Sequence, residues 1–186
     1  ARESAQTAGL DLCWALEGEI EGFVALSDIA DAQPTEPIAD EQRGSDMLYS
    51  SGTTGRPKGI RPPLTPGAPI DEETALTMIA MGVCGLSAES IYLSPAPLYH
   101  AAPLRWCMAA TAVGATVVVM EKFDPEAFLQ AVETYRATHS QLVPTMFVRM
   151  LKLPEAVRSR YDVSSLKCAI HAAAPCPVPV KEQMIA

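Results

Sequence analysis

The sequence predicts an α/β fold with a mostly parallel sheet that has helices on both faces. From Ser90 onward, short apolar runs alternate with segments of helical periodicity, and such alternation is typical of a parallel sheet. One run, from Ala115 to Val119, is rich in β-branched residues, as expected of a strand buried on both faces. A chain of 186 residues with 48% hydrophobic residues fits one domain or one large piece of a domain.

The patterns place the individual elements along the chain. Strands are expected at residues 91–94, 115–121, 140–143 and 167–172. Helices are expected at residues 72–85, 103–113, 146–153 and 178–185, with one more that starts at residue 125. In the first 45 residues, which carry no motif, residues 1–8 suit a helix end and residues 34–43 suit a surface loop. Because the chain stops within a helix just after a strand, we expect an incomplete piece of a larger domain.

The helix that starts at residue 125 has the clearest beginning. Asp124 is a good N-cap, Pro125 suits the first helical position, and Glu126 places an acid in the first turn. Phe128 and Val132 then fall on one face. This face is expected to enter the core.

Composition excludes several classes of protein. The net charge of −8 argues against a nucleic-acid partner, because there is no basic surface to neutralise phosphates. Five cysteines without a C-x-x-C pair suit a reducing compartment such as the cytoplasm and predict neither a disulfide framework nor a metal site. Residues 101–120 hold one charge, Arg105, but Gly114 divides them into a helix and a strand, so no transmembrane segment is expected.

The segment from Tyr49 to Gly59, with the sequence YSSGTTGRPKG, predicts a phosphate site. Glycines allow close backbone approach, successive N–H groups form an anion-binding nest, and hydroxyls and cations add donors. It is not a common P-loop, because Pro57 precedes Lys58 and prolines at 62 and 63 exclude a following helix. The phosphate is therefore expected under a loop between extended segments.

This segment closely resembles the phosphate-loop signature of the adenylate-forming, AMP-binding superfamily, which includes acyl-CoA synthetases, luciferases and peptide-synthetase adenylation domains. Residues 93–100, LSPAPLYH, resemble that family's Pro-x-x-His segment. Residues 161–166, YDVSSL, and 171–175, HAAAP, are similar to its later strand and adenine-side loop. The resemblance covers about residues 46–186 and points to the large N-terminal domain of a fatty-acid–CoA ligase, without the family's C-terminal domain.

The resemblance implies roles for individual residues. His100 would lie near the acyl carboxylate and gate its pocket, and Lys58 would act with it in catalysis by contacting the ATP phosphates. The phosphate cradle would consist of Ser50, Ser51, Gly52, Thr53, Thr54, Gly55, Arg56 and Lys58. The adenine-side loop would consist of Ala172, Ala173, Ala174 and Pro175. Two departures stand out: Ala101-Ala102-Pro103 follows His100 where many relatives carry a glycine, and alanines replace the usual glycines of the adenine loop.

The function that this resemblance implies is an ATP-dependent acid–thiol ligase. A carboxylate attacks the α-phosphate to give acyl-AMP and pyrophosphate, and coenzyme A then displaces AMP. Mg²⁺ would arrive with ATP, with its protein ligand outside these residues. No Asp or Glu occurs from Ile91 to Met120, which favours an apolar acid, with a fatty acid first.

Three alternatives remain open at this point. They are an amino-acid or aryl-acid adenylation domain, a fragment that only binds nucleotide, and a hydrolase built from Cys176 and a histidine. The hydrolase is the weakest, because the chain has no G-x-S-x-G motif.

Overall fold

The computed structural model describes residues 2–16, 18–50, 57–172 and 174–185. Internal contacts divide the chain into two compact units, residues 1–41 and 42–186. In the first unit, β1 and β2 form a small parallel pair, in which Trp14 aligns with Val24. Its elements are α1 (Arg2–Thr7), β1 (Trp14–Ala15), β2 (Val24–Ala25) and α2 (Leu26–Ala30).

The second unit contains the remaining elements. Its strands are β3 (Leu48–Ser50), β4 (Lys58–Ile60), β5 (Ile91–Ser94), β6 (Thr116–Val119), β7 (His139–Leu142) and β8 (Cys168–His171). Its helices are α3 (Ala75–Gly82), α4 (Ala101–Ala112), α5 (Pro125–Tyr135), α6 (Pro144–Leu151), α7 (Glu155–Arg158) and α8 (Val178–Ile185).

Four strands form a parallel sheet in the order β6-β5-β7-β8. At its centre, Leu93 aligns with Val118 on one side and Ser140 on the other. Helices connect the successive strands, as a parallel sheet requires. The predicted α/β fold class is therefore confirmed.

The sheet has a hydrophobic cluster on each face. Neighbouring residues of β5 point to opposite faces, so Tyr92 joins one cluster and Leu93 the other. The Tyr92 cluster packs beneath α3 and α4, and its buried members include Ala80, Trp106, Cys107 and Ala110. The Leu93 cluster packs beneath α5 and α6, and its buried members include Phe128, Val132, Leu142 and Phe147. Helices thus cover both faces of the sheet, as predicted.

Several predicted boundaries are wrong by one to three residues. The third helix begins at Ala75 and not at residue 72, because Thr74 caps it: the Thr77 N–H donates to Thr74 Oγ1 at 2.9 Å, and the Thr74 N–H donates to Thr77 Oγ1 at 2.7 Å. The fourth helix begins at Ala101, two residues before the predicted Pro103. The sixth begins at Pro144, a residue type that suits a first helical position.

Candidate functional site

The carboxyl edge of the parallel sheet gathers two of the predicted site segments. All four strands run in the same direction, so the loops that follow β5 and β8 leave the same edge. The first loop leads to His100, and the second begins at Ala172 and continues through Ala174 and Pro175. Because β7 lies between β5 and β8, the two loops start about 10 Å apart, twice the spacing of neighbouring strands. Ligands of parallel α/β sheets bind at this edge.

His100 occupies the N-cap position of α4. Its backbone is extended, with φ −86° and ψ 143°, and its side chain does not cap the helix. The imidazole is exposed and packs against Tyr99 with 4.5 Å between ring centroids. His100 therefore presents its ring to solvent at the start of the apolar helix.

Lys58 is the first residue of β4, which pairs with β3 in an antiparallel hairpin. Ser50 aligns with Lys58 across this hairpin, and Lys58 is exposed. The cradle residues Ser51, Gly52, Thr53, Thr54, Gly55 and Arg56 lie outside the described residues, as does Ala173 of the adenine-side loop.

The hairpin that flanks the phosphate loop is separate from the parallel sheet. The flanking segments are extended, as predicted, but they form a sheet of their own instead of joining the parallel sheet. The reason is the short connection between Ser50 and Lys58, since parallel pairing needs a crossover of a dozen or more residues.

Gly59 of the hairpin has a steric role that the sequence did not reveal. A Cβ at this position would lie 3.1 Å from Tyr49 Cε1 and 3.1 Å from Met47 Cε. Tyr49 aligns directly with Gly59 across the strands. A larger residue at 59 would displace the Tyr49 ring, which begins the phosphate segment.

His139 and His171 have contacts of a structural kind. His139 is buried, with Nε2 2.9 Å from the Cys84 carbonyl oxygen and Nδ1 2.8 Å from Thr138 Oγ1. Because a carbonyl only accepts, Nε2 carries a proton. His171 lies at the end of β8 and packs edge-on against Phe147, with 6.4 Å between ring centroids.

A group of buried polar side chains beneath α4 was missed by the sequence analysis. Gln141 Oε1 is buried without a hydrogen-bond partner among the described residues, and the buried Tyr92 hydroxyl and Ser94 Oγ have at most weak ones, to the Gln141 backbone and the Cys107 thiol. Tyr92 and Ser94 share a face of β5, and Gln141 lies in the neighbouring strand on the face where His139 meets Cys84. Ser94 ends an otherwise apolar strand, and three of the four residues of β7 are polar although all four are buried, and these are the signals that could have revealed the group. An unpaired buried polar group costs about 1–3 kcal/mol, so a water or ligand atom that reaches them would be bound favourably.

The Cys107 thiol lies beside this group of buried polar side chains. Burial raises the pKa of Cys107, and the neighbouring Ser94 hydroxyl offsets part of this rise. Burial likewise raises the pKa of Tyr92. Both side chains therefore stay protonated at neutral pH and can only act as neutral hydrogen-bonding groups.

A cavity of about 1220 Å³ lies against α3 and α4. Its wall includes Asp46, Thr77, Met81, Arg105, Met108 and Ala112. Arg105 Nε lies 3.4 Å from Asp46 Oδ2 across it. α4 lines this cavity, but none of the predicted site residues that the structure describes does. We therefore place the candidate site at the carboxyl edge of the sheet and not in this cavity.

A comparison with protein families decides the affiliation. The family model described as AMP-binding enzyme matches residues 4–186. The chain belongs to the AMP-binding enzyme family. The match begins at residue 4, so it includes the N-terminal segment in which the sequence showed no motif. The resemblance inferred from the three motifs is confirmed.

Two relatives illustrate this family. The putative acyl-CoA synthetase YngI of Bacillus subtilis is 32% identical over 165 residues, which cover 87% of this chain and 29% of that protein. The 4-coumarate–CoA ligase 1 of Oryza sativa subsp. japonica is 32% identical over 167 residues, which cover 86% of this chain and 28% of that protein. The chain thus spans less than a third of the length of these relatives.

Solved structures support the fold. The amide bond synthetase McbA from Marinactinospora thermotolerans superposes with a TM-score of 0.73 at 24% identity, covering 98% of this chain and 35% of that chain. Within the described residues, no helix has the length and apolar character needed to cross a bilayer. The same residues contain no cluster of three or more His, Cys, Asp or Glu side chains that would hold a metal ion.

Proposed function

We propose that the protein is an ATP-dependent acid–thiol ligase that activates an apolar carboxylic acid, first of all a fatty acid. The carboxylate attacks the α-phosphorus of ATP, the bond to pyrophosphate breaks, and the thiol of coenzyme A then attacks the acyl carbon and releases AMP. The observation that carries the proposal is the position of His100, which stands at the carboxyl edge of the sheet where the acid-free helix α4 begins. Two relatives whose names describe CoA ligases support the reaction class.

In this proposal the chain mainly positions and neutralises the reactants, as is usual for reactions at phosphorus. Lys58 and the cradle residues 50–56 bind the β- and γ-phosphates. His100 lies by the acyl carboxylate, and residues 172–175 lie against the adenine. The described residues offer no carboxylate cluster that fits Mg²⁺, so no step is assigned to this ion, which would enter bound to ATP.

The buried polar group beneath α4 supports a substrate whose head is polar and whose tail is apolar. Ser94 is the last residue of β5 and Cys107 lies in the middle of α4, so the group lies near the edge that carries His100. In this proposal a carboxylate or a bound water supplies the missing hydrogen-bond partners, and the aliphatic side chains of α4 face the tail.

The phosphate assignment is tested with Lys58→Ala in a protein of the relatives' full length that contains this chain, because we expect these 186 residues alone to be inactive. Loss of one positioned charge should lower kcat/KM for ATP by about 10²- to 10³-fold in a pyrophosphate-release assay. Lys167→Ala is the matched control. This exposed lysine lies just before β8, at the amino edge of the parallel sheet and away from the carboxyl edge that holds the candidate site. An unchanged kcat/KM for ATP in Lys58→Ala would reject the assignment.

The substrate class is tested with a panel of fatty, aryl and amino acids in the same assay. The alternative of an aryl acid is favoured by one specific observation, the 32% identity to a 4-coumarate–CoA ligase. We expect fatty acids to give the highest kcat/KM, because no acid between Ile91 and Met120 is available to hold an ammonium group and the apolar helix α4 suits an aliphatic tail. Higher values for 4-coumarate would establish the aryl alternative, and higher values for amino acids would overturn both.

The remaining parts of the proposal concern partners and location. We propose a cytoplasmic protein, because the five cysteines are free and a reducing compartment keeps them so. We propose no nucleic-acid partner, because the net charge is −8. If no acid supports pyrophosphate release although ATP binds, the chain is a nucleotide-binding protein without this activity.

A further inference from the structure

Two cysteines that are 84 positions apart in the sequence meet on one face of the parallel sheet. Cys84 follows α3, and Cys168 is the first residue of the edge strand β8. Cys84 belongs with the hydrophobic cluster beneath α3 and α4, and Cys168 shares a face of β8 with Ile170 of the same cluster. The proximity of the Cys168 thiol, together with burial as the larger cause, raises the pKa of Cys84.

Both cysteines adjoin His139 of the neighbouring strand. The Cys84 carbonyl oxygen accepts from His139 Nε2 at 2.9 Å. The Cys168 N–H donates to the Thr138 carbonyl oxygen at 3.1 Å, and Cys168 aligns with His139 in the sheet. Since neighbouring strands lie about 4.8 Å apart, Cys168 is one strand spacing from the residue that binds Cys84. Cys84 and Cys168 therefore both adjoin His139 on one face of the sheet.

We propose that Cys84 and Cys168 form a reversible redox pair, a modification site that closes to a disulfide when the protein meets a peroxide. Both residues are half-buried, so a small oxidant reaches them, whereas Cys107 is buried. In a reducing compartment such a bond is transient and is reopened by low-molecular-weight thiols. The inference does not rest on the proposed ligase activity.

The chemistry balances with hydrogen peroxide as the oxidant. The Cys168 thiolate attacks one peroxide oxygen, the O–O bond breaks, and a sulfenic acid and water result. The Cys84 sulfur then attacks the sulfenic sulfur and displaces its oxygen as a second water. Two thiols and one peroxide thus become one disulfide and two waters. Exchanging the roles of the two sulfur atoms leaves this balance unchanged.

The bond would join the end of α3 to the edge strand β8. Everything from β5 to α7 lies in the closed loop, including the two central strands β5 and β7. Closing so long a loop restricts the unfolded chain strongly. The oxidised protein should therefore melt higher than the reduced one, by on the order of 5–10 °C.

The test is peptide mapping of the full chain after treatment with hydrogen peroxide under native conditions. Free thiols are alkylated, and the protein is digested with trypsin without reduction. The tryptic peptide 59–105 carries Cys84, and the peptide 168–181 carries Cys168 and Cys176. We expect these two peptides to be linked, with fragment ions that place the bond on Cys168, and we expect dithiothreitol to separate them.

The cysteine in the same peptide is the matched control. Cys176 is also half-buried, but it packs on the opposite face of the sheet from Cys84. Cys176→Ser should keep the link, and Cys168→Ser should lose it. The proposal is overturned if wild-type peptides stay unlinked while other thiols oxidise, if the link is to Cys176, or if it forms only in urea. Because the wild-type map decides on its own, a variant that fails to fold does not affect the result.

Discussion

At Arg136 the chain turns from α5 towards β7 in a left-handed conformation, with φ 52° and ψ 42°. This is the one described residue other than glycine with a positive φ. Its N–H donates to carbonyl oxygens of the last helical turn, and its guanidinium lies 2.6 Å from Asp162 Oδ2. The residue therefore combines an unfavourable backbone conformation with a favourable exposed ion pair.

Replacing Arg136 separates these two effects. Arg136→Gly and Arg136→Ala both remove the ion pair, but only glycine adopts a positive φ without steric cost. We expect Arg136→Ala to be less stable than Arg136→Gly by about 1 kcal/mol in urea unfolding curves. Equal stabilities of the two variants would contradict the strain at this position.

Single residues also mark where sequence analysis was sufficient and where it was not. His100 could be placed after a strand and before an apolar helix from the local pattern alone. The partners of His139, the orphaned Gln141 oxygen and the contact between Cys84 and Cys168 could not, because they depend on segments that are dozens of residues apart. Local periodicity predicts which face a side chain takes, but not which distant side chain it meets there.

At the scale of elements, local chemistry decided which helix start was predicted correctly. Asp124 and Pro125 predicted the start of α5 correctly. In the structure, Asp124 Oδ1 accepts hydrogen bonds from the N–H groups of Glu126 and Ala127 at 3.1 and 2.9 Å. The start of α4 was misplaced because Pro103 suggested a first helical position, whereas His100 takes the cap position without a capping side-chain bond. The α3 start was also misplaced although Thr74 caps it, so a capping side chain identifies a helix start most clearly when, as at Asp124, a proline and an acid follow it.

The cap of α5 gives a second stability prediction. Asp124→Ala should lower the free energy of unfolding by about 1 kcal/mol, because two helical N–H groups lose their acceptor. Asp124→Asn keeps an oxygen acceptor and should retain most of the stability. Since Phe128 and Val132 of α5 are buried, the loss should appear in global unfolding by urea. Equal losses in both variants would show that the negative charge, and not the cap, matters.

The connection between α7 and β8 gives a pH prediction. The hydroxyl and N–H of Ser164, and then Arg136, lower the pKa of Asp162 to about 2. A carboxyl with a lowered pKa stabilises the fold above the pH at which it titrates when unfolded, about 4, and this stability is lost as the pH falls towards 2. The difference in unfolding free energy between wild type and Asp162→Asn should therefore shrink from pH 5 to pH 2. A difference that does not change with pH would disprove the assignment.

At the scale of the whole molecule, the sheet and both hydrophobic clusters lie within residues 42–186. We therefore expect a chain of residues 42–186 to keep a cooperative thermal transition and most of its helical circular dichroism. The comparison is with the 186-residue chain under the same conditions. Loss of the cooperative transition would mean that residues 1–41 are required for the fold.

The alternation of Tyr92 and Leu93 between the two clusters also constrains how this family can vary in length. Inserting or deleting one residue within β5 would turn every following side chain of the strand to the opposite face of the sheet. A side chain that packs in one hydrophobic cluster would then point into the other. A change of two residues restores the faces but shifts the loop that ends at His100 by two strand positions. Aligned members of the family should therefore lack insertions and deletions within this strand. They should carry them in the exposed residues 34–41, which belong to no helix or strand.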